Sequence, residues 1–376
     1  MKRRLWKKLL LIPIGLLISL LVVEFGLRIA GFSYPLPYAT DHYCASRLRP
    51  GFSGWFTSEG SCFVRVNRHG NRDRERSIAK PAGVLRIAVL GDSFAEARQV
   101  PIADTFWSVL EQELALRLER KVEVLNFGVS GYSTVQELQM LRNHVWQFEP
   151  DIVLLTFTAV NDIQNNSKQL EGDQVKPFYV LRNGKMELDT SFRQHPLYLK
   201  CQTNWVKFKA GMINRSRLLQ VVSETRSRNA QVAAPARGTF LKPPRKPAWR
   251  QAWDLTERVL LLMRDNVRSH NAQFWIVTLS SDIQVDPDAK VRDEFTRRNK
   301  IADIFYPDKR IKAFARKHKI DSIMLAADMQ RYAQTEGVYL HGFKNTRPGR
   351  GHWNKAGHRV AGELIGKAMA NGGRNK

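Results

Sequence analysis

Four short polar stretches of this 376-residue chain carry the residue types that acyl transfer needs. Gly91-Asp92-Ser93 follows the apolar run RIAVL, and Asn126-Phe127-Gly128-Val129-Ser130-Gly131-Tyr132 ends a second such run. Asn161-Asp162 comes soon after a third, and Gly351-His352-Trp353-Asn354 lies far downstream. A serine hydroxyl attacks an ester carbonyl when a base takes its proton, and histidine does this near neutral pH. Backbone N–H groups at glycines and an amide side chain can hold the oxyanion that forms. Each stretch alone has a plainer reading. Ser93 alone would cap the segment that follows it, and Asp92 and Asp162 suit hydrogen bonds to loop backbone. His358 reads as a packing residue of the last helix, and His341 as structural or as a second base. The nine histidines and three cysteines show no metal-ligand spacing, so no metal is expected, and acyl transfer by a serine implies no organic cofactor.

The elements that must position these residues follow from periodicity. Residues 86–90, 122–127 and 151–157 are short apolar runs that read as buried strands, and 274–279 and 320–325 continue the series. Between them, Phe106, Leu110, Leu114 and Leu118 recur at steps of four and predict a helix over 104–120. Ser133 with Gln136 three residues later starts another helix, and Pro150 ends it. Further helices are predicted over 253–270, around 311–319 and from about residue 355. Strands alternating with helices imply a parallel sheet covered on both faces. In such sheets chemistry collects beyond the C-terminal strand ends, where the polar stretches fall. Asn183-Gly184 inside 178–188 predicts a hairpin, and the basic, Pro-rich stretch 214–250 reads as a mobile loop.

In their order, and over about residues 84–366, the four stretches resemble the sequence blocks of the SGNH (GDSL-type) hydrolases. The resemblance implies an α/β fold: a three-layer α/β/α sandwich, flavodoxin-like, with a parallel sheet of about five strands. It implies Ser93 as nucleophile and His352 as general base. The oxyanion hole would comprise the Ser93 N–H, the Gly131 N–H and the Asn161 side chain. Two positions depart from the family pattern. The family usually has an Asp three residues before the histidine, where this chain has Gly349, and a Gly where it has Ala159. Asp328, after the fifth predicted strand, is the candidate replacement for the orienting acid.

Sixty Lys and Arg against 35 Asp and Glu give a net charge of +25, which invites a nucleic-acid reading. The N-terminus argues against it. Five basic residues within 1–8 precede an uncharged run over 9–23, and the apolar character extends to about residue 31. That is enough to span hydrocarbon, and Glu24 and Arg28 are spaced to pair on one face. Basic residues before the span place the N-terminus in the cytoplasm and the rest outside. The expected organisation is a basic cytoplasmic segment (1–8), a transmembrane signal anchor (9–31), a small β-rich link (32–82), the catalytic domain (83–371, with insertions in 164–250) and a tail (372–376). A cleaved signal peptide is the alternative. In an oxidising compartment Cys44 and Cys62 could pair.

The expected function is therefore an exported, inner-membrane, single-pass serine esterase acting on acyl or acetyl esters of carbohydrate or lipid. Its partners would be the ester substrate and the membrane, with no nucleic acid. An O-acyltransferase modifying an envelope polysaccharide is one alternative. A catalytically inactive glycan- or lipid-binding protein on the same scaffold, with Gly349 as its mark, is another.

Overall fold

The computed structural model describes residues 2–228 and 238–373. The chain opens with a helix, α1 (Lys2–Ile29), whose Leu11–Ile29 stretch is long and apolar enough to cross a membrane. Glu24 and Arg28 pair on it at 2.7 Å, as their spacing predicts. Two antiparallel hairpins follow, β1 (Tyr38–Asp41) with β2 (Ala45–Leu48), then β3 (Ser53–Phe56) with β4 (Cys62–Arg65). In β4 the alternation is visible residue by residue: Val64 is buried while Phe63 and Arg65 face outward.

The central unit runs β5 (Leu85–Leu90), α2 (Ser93–Glu96), α3 (Phe106–Leu118), β6 (Val122–Asn126), α4 (Thr134–Met140), β7 (Ile152–Phe157) and α5 (Ala159–Asn165). A hairpin of β8 (Phe178–Arg182) and β9 (Lys185–Asp189) turns at Asn183-Gly184, both at positive φ, as a type I′ turn requires. Helices α6 (Pro196–Gln202), α7 (Asn204–Arg215), α8 (Arg217–Arg228) and α9 (Pro247–Ser269) come next. The chain ends with β10 (Gln273–Thr278), α10 (Ala289–Asn299), α11 (Tyr306–Lys317), β11 (Asp321–Met324), α12 (Ala326–Glu336) and α13 (Lys355–Gly373).

Five of these strands form one parallel sheet in the order β11-β10-β7-β5-β6. The sheet is apolar on both faces because helices cover both. One layer packs Leu138, Trp253, Leu260 and Phe314 against it, from α4, α9 and α11. The other packs Phe106, Leu110, Met329 and Ile365, from α3, α12 and α13. This is the three-layer α/β/α arrangement. The register pairs Leu90 with Leu155, Val89 with Asn126 and Thr278 with Phe157, so the C-terminal strand ends lie level along one edge.

Three expectations are corrected. Most of the described part of 214–250 is helical, with α8 and the start of α9 inside it; residues 229–237 lie outside the described residues. Proline does not break the helix there: Pro247 stands in the first turn of α9, where its missing N–H costs no hydrogen bond. Helices α6, α7, α10 and α12 were not anticipated. Cys44 and Cys62 are buried free thiols: Cys44 Sγ lies 3.6 Å from the Gln136 carbonyl, and Cys62 Sγ 3.7 Å from the Arg72 guanidinium.

Candidate active site

Ser93 is the first residue of α2, directly after β5. Asp92 caps this helix, its Oδ1 accepting the Phe94 N–H at 3.0 Å. Its other oxygen accepts from Asn161 Nδ2 at 2.7 Å, which ties the loop after β5 to α5 after β7. The loop after β6 is held to the same edge by the Val129 N–H, which donates to the Gly91 carbonyl at 3.1 Å. Gly131 follows in that loop, exposed and at φ +80°.

His352 arrives from the loop before α13. Its Nε2 is 2.8 Å from Ser93 Oγ, the contact a general base needs. Its Nδ1 makes a short hydrogen bond with Glu59 Oε2, and its backbone N–H donates to Glu59 Oε1 at 2.8 Å. Serine, histidine and carboxylate thus form one chain of hydrogen bonds, with the carboxylate bound to the ring nitrogen opposite the serine. Burial pushes the Glu59 carboxyl up, but hydrogen bonds and charge from His352, with help from Gln99, outweigh it and hold it below its ordinary value.

Glu59 sits on the turn joining β3 to β4, in the segment expected only to link helix and domain. Asn345 clamps that turn: its Oδ1 accepts the Gly60 N–H at 2.9 Å, and its Nδ2 donates to the carbonyls of Thr57 and Gly60 at 2.9 and 2.8 Å. Gly351, at φ +89°, lets the carboxylate come close, since a Cβ there would run into Glu59 Oε1. Sequence reasoning missed both Glu59 and Asn345. The signal present was an acid beside Gly60 between two strand-like runs, which is common at any hairpin.

Asp328 is not at the site. It lies on the outer face of α12, half exposed and paired with Arg331 at 3.1 Å. The fifth strand is where it was expected, but Asp328 falls in the first turn of the following helix and points to solvent. Gly349 could not carry the family's usual Asp either: it has φ +73°, and a Cβ there would meet the Tyr339 ring at 2.7 Å.

His341 and His358 are held in structural contacts. His341 is buried between the Gly351 carbonyl at 2.7 Å and Ser280 Oγ at 3.2 Å, and burial pushes it down to about 4. His358 accepts the Phe106 N–H at 3.3 Å and is pushed down to about 3, again by burial. Trp353 is buried and donates to Ser280 Oγ at 2.9 Å. Gly342 N–H to the His352 carbonyl (2.9 Å) and Asn354 N–H to the Leu340 carbonyl (3.0 Å) complete the brace around His352.

A cleft of about 340 Å³ opens beside the site, lined by Asn161 and His352 together with Phe94, Phe240, Trp249 and Phe295. Among the described residues Asp41, Cys44 and His144 bring their potential ligand atoms within 4.8 Å of one another. There Arg47 lies 3.0 Å from His144 Nδ1 and 3.9 Å from Asp41, putting positive charge where a cation would sit.

The family model of the GDSL-like lipase/acylhydrolase family matches residues 89–360. The comparison with curated proteins returned no match. Among solved structures, the chain is similar to the acetyl xylan esterase AlAXEase (13% identity, 76% of this chain and 98% of that one, TM-score 0.40). It is similar to Axe2, an acetylxylan esterase from Geobacillus stearothermophilus (12%, 76% and 93%, 0.40). It is also similar to LAE5, an α/β hydrolase enzyme from the metagenome of Lake Arreo, Spain (16%, 78% and 97%, 0.38). With TM-scores below 0.5 these structures add no weight. The match over 89–360, on a five-stranded parallel sheet inside an α/β sandwich, places this chain in the GDSL-like lipase/acylhydrolase family of ester-hydrolysing enzymes.

Proposed function

We propose that the protein is a membrane-anchored serine esterase whose catalytic domain lies outside the membrane and removes acyl or acetyl groups from carbohydrate or lipid esters. The observation that carries the reading is the chain Ser93 Oγ–His352 Nε2 (2.8 Å), His352 Nδ1–Glu59. Ser93 Oγ attacks the ester carbonyl while His352 Nε2 takes its proton, and Glu59 keeps the imidazole oriented and balances its charge. The tetrahedral oxyanion is met by the N–H groups of Ser93 and Gly131 and by Asn161. One N–H of the Asn161 amide is anchored on Asp92, which leaves the other to donate. His352 then protonates the departing alkoxide oxygen. Water, deprotonated by the same histidine, releases the acid and restores Ser93.

The apolar span Leu11–Ile29 and the basic residues before it support the anchor and its orientation. The acid at Glu59 takes away the motive for an inactive binding protein, which was the missing Asp at position 349. The test is hydrolysis of p-nitrophenyl acetate by the purified full chain, with Ser93→Ala and His352→Ala beside it. Turnover in the parent that both substitutions abolish supports the reading; turnover that survives Ser93→Ala would end it.

A further inference from the structure

Helices α6 to α8 present apolar side chains to solvent where a soluble protein would not. On α7, Trp205, Phe208 and Met212 recur at helical spacing and are 69%, 61% and 45% exposed. Leu219 and Val222 extend the exposed apolar surface on α8. Residues 196–228 hold seven Lys and Arg against one acid, Glu224. Exposed aromatic and aliphatic residues interleaved with lysines are the composition of a helix that lies in a lipid interface.

The position of this surface names its occupant. The corner between α7 and α8 is bolted to the outer end of α1. Glu24 accepts from Ser216 Oγ (2.9 Å) and from the N–H groups of Arg217 (2.9 Å) and Leu218 (3.0 Å). Arg28 donates to the Arg215 carbonyl at 2.8 Å. Beside the corner, Asn214 bonds Leu36 through both ends of its amide, at 2.7 and 3.1 Å. The exposed face thus adjoins the last turns of the apolar span Leu11–Ile29, near the outer end of the helix that would emerge from the bilayer.

We infer that α7 and α8 lie in the anionic headgroup layer beside the point where α1 leaves the membrane, with Trp205 and Phe208 inserted and Lys207 and Lys209 meeting lipid phosphate. The inference rests on the membrane-anchored reading of α1. Seated in this way, the domain is held in one orientation above the bilayer and does not swing freely on a tether.

The test uses the full chain reconstituted into vesicles of phosphatidylcholine with or without phosphatidylglycerol. Cys201 is the exposed cysteine, and Cys44 and Cys62 are buried. In a Cys201→Ser background, an environment-sensitive fluorophore is attached to Trp205→Cys, Phe208→Cys, Leu21→Cys (on α1) or Leu116→Cys (on α3), and quenched by lipids carrying a nitroxide near the headgroup or deep in the acyl chain. Far-UV circular dichroism matching the parent reports folding. We expect blue-shifted emission at 205 and 208 that headgroup-level nitroxide quenches strongly, more so with phosphatidylglycerol, and no quenching at 116. Quenching at 21 with 205 and 208 in water would overturn the inference and leave the anchor standing. No quenching at 21, 205 or 208 would overturn both. Emission at 205 and 208 that is blue-shifted, unquenched by lipid and sensitive to protein dilution would mean that a second copy covers this face, and would also overturn it.

Discussion

Glu59 and His352 are 293 residues apart in sequence, yet the carboxylate of one takes both the ring N–H and the backbone N–H of the other. The pairing draws the β3–β4 hairpin into the site. If Glu59 is the orienting acid, Glu59→Gln keeps the shape but loses the charge that fixes the tautomer and balances the imidazolium. We expect kcat/KM for p-nitrophenyl acetate to fall by about 10²–10⁴ with little change in KM. A variant as fast as the parent would remove Glu59 from the mechanism.

Moving the acid to the family's usual position should not restore the rate. In Glu59→Gln with Gly349→Asp, the new side chain meets the Tyr339 ring and a backbone at φ +73°. The left-handed conformation alone costs about 1–2 kcal/mol. We expect a lower urea midpoint and no gain in rate over Glu59→Gln; a gain of tenfold or more would show that the loop accommodates an acid there.

Asn161 reports on the oxyanion hole. With one N–H held on Asp92, the amide is aimed before substrate arrives, so Asn161→Ala should lower kcat about 10²–10³-fold and leave KM near the parent value. A change confined to KM would make Asn161 a substrate-binding residue instead.

The buried neutral His358 weakens the fold as pH falls. The folded-state value of His358 is about 3, well below the ordinary 6.5, so the unfolded chain binds that proton first. Its contribution is fully present above about pH 6.5 and is lost as pH falls from there toward 3, at about 1.4 kcal/mol per pH unit. Between pH 7 and 5, His358→Asn should lose about 2 kcal/mol less unfolding free energy than the parent, measured by urea titration in detergent. Identical losses would show that His358 titrates normally.

Much of this was legible in the residues. Ser93, Asn161 and His352 stand at strand ends or ahead of a helix because short apolar runs and helical stripes are local signals, and each strand ends where its run ends. Glu59 was not legible, since an acid at a hairpin turn carries no mark of the loop it will meet across the molecule. Asp328 failed as the replacement for a related reason: β11 was placed correctly, but which side of the first turn of α12 faces the site depends on packing. Helices α7 and α8 escaped because Trp205, Phe208, Met212, Leu219 and Val222 face solvent and not the core. Their partner, on the inference above, is lipid.

The most direct measurement is covalent labelling of the full chain by a fluorophosphonate, with the modified peptide read by mass spectrometry. The account predicts one adduct, on Ser93, lost in His352→Ala and slowed in Glu59→Gln. Folded protein that forms no adduct, or forms it at another residue, would contradict the claim that Ser93 is an activated nucleophile.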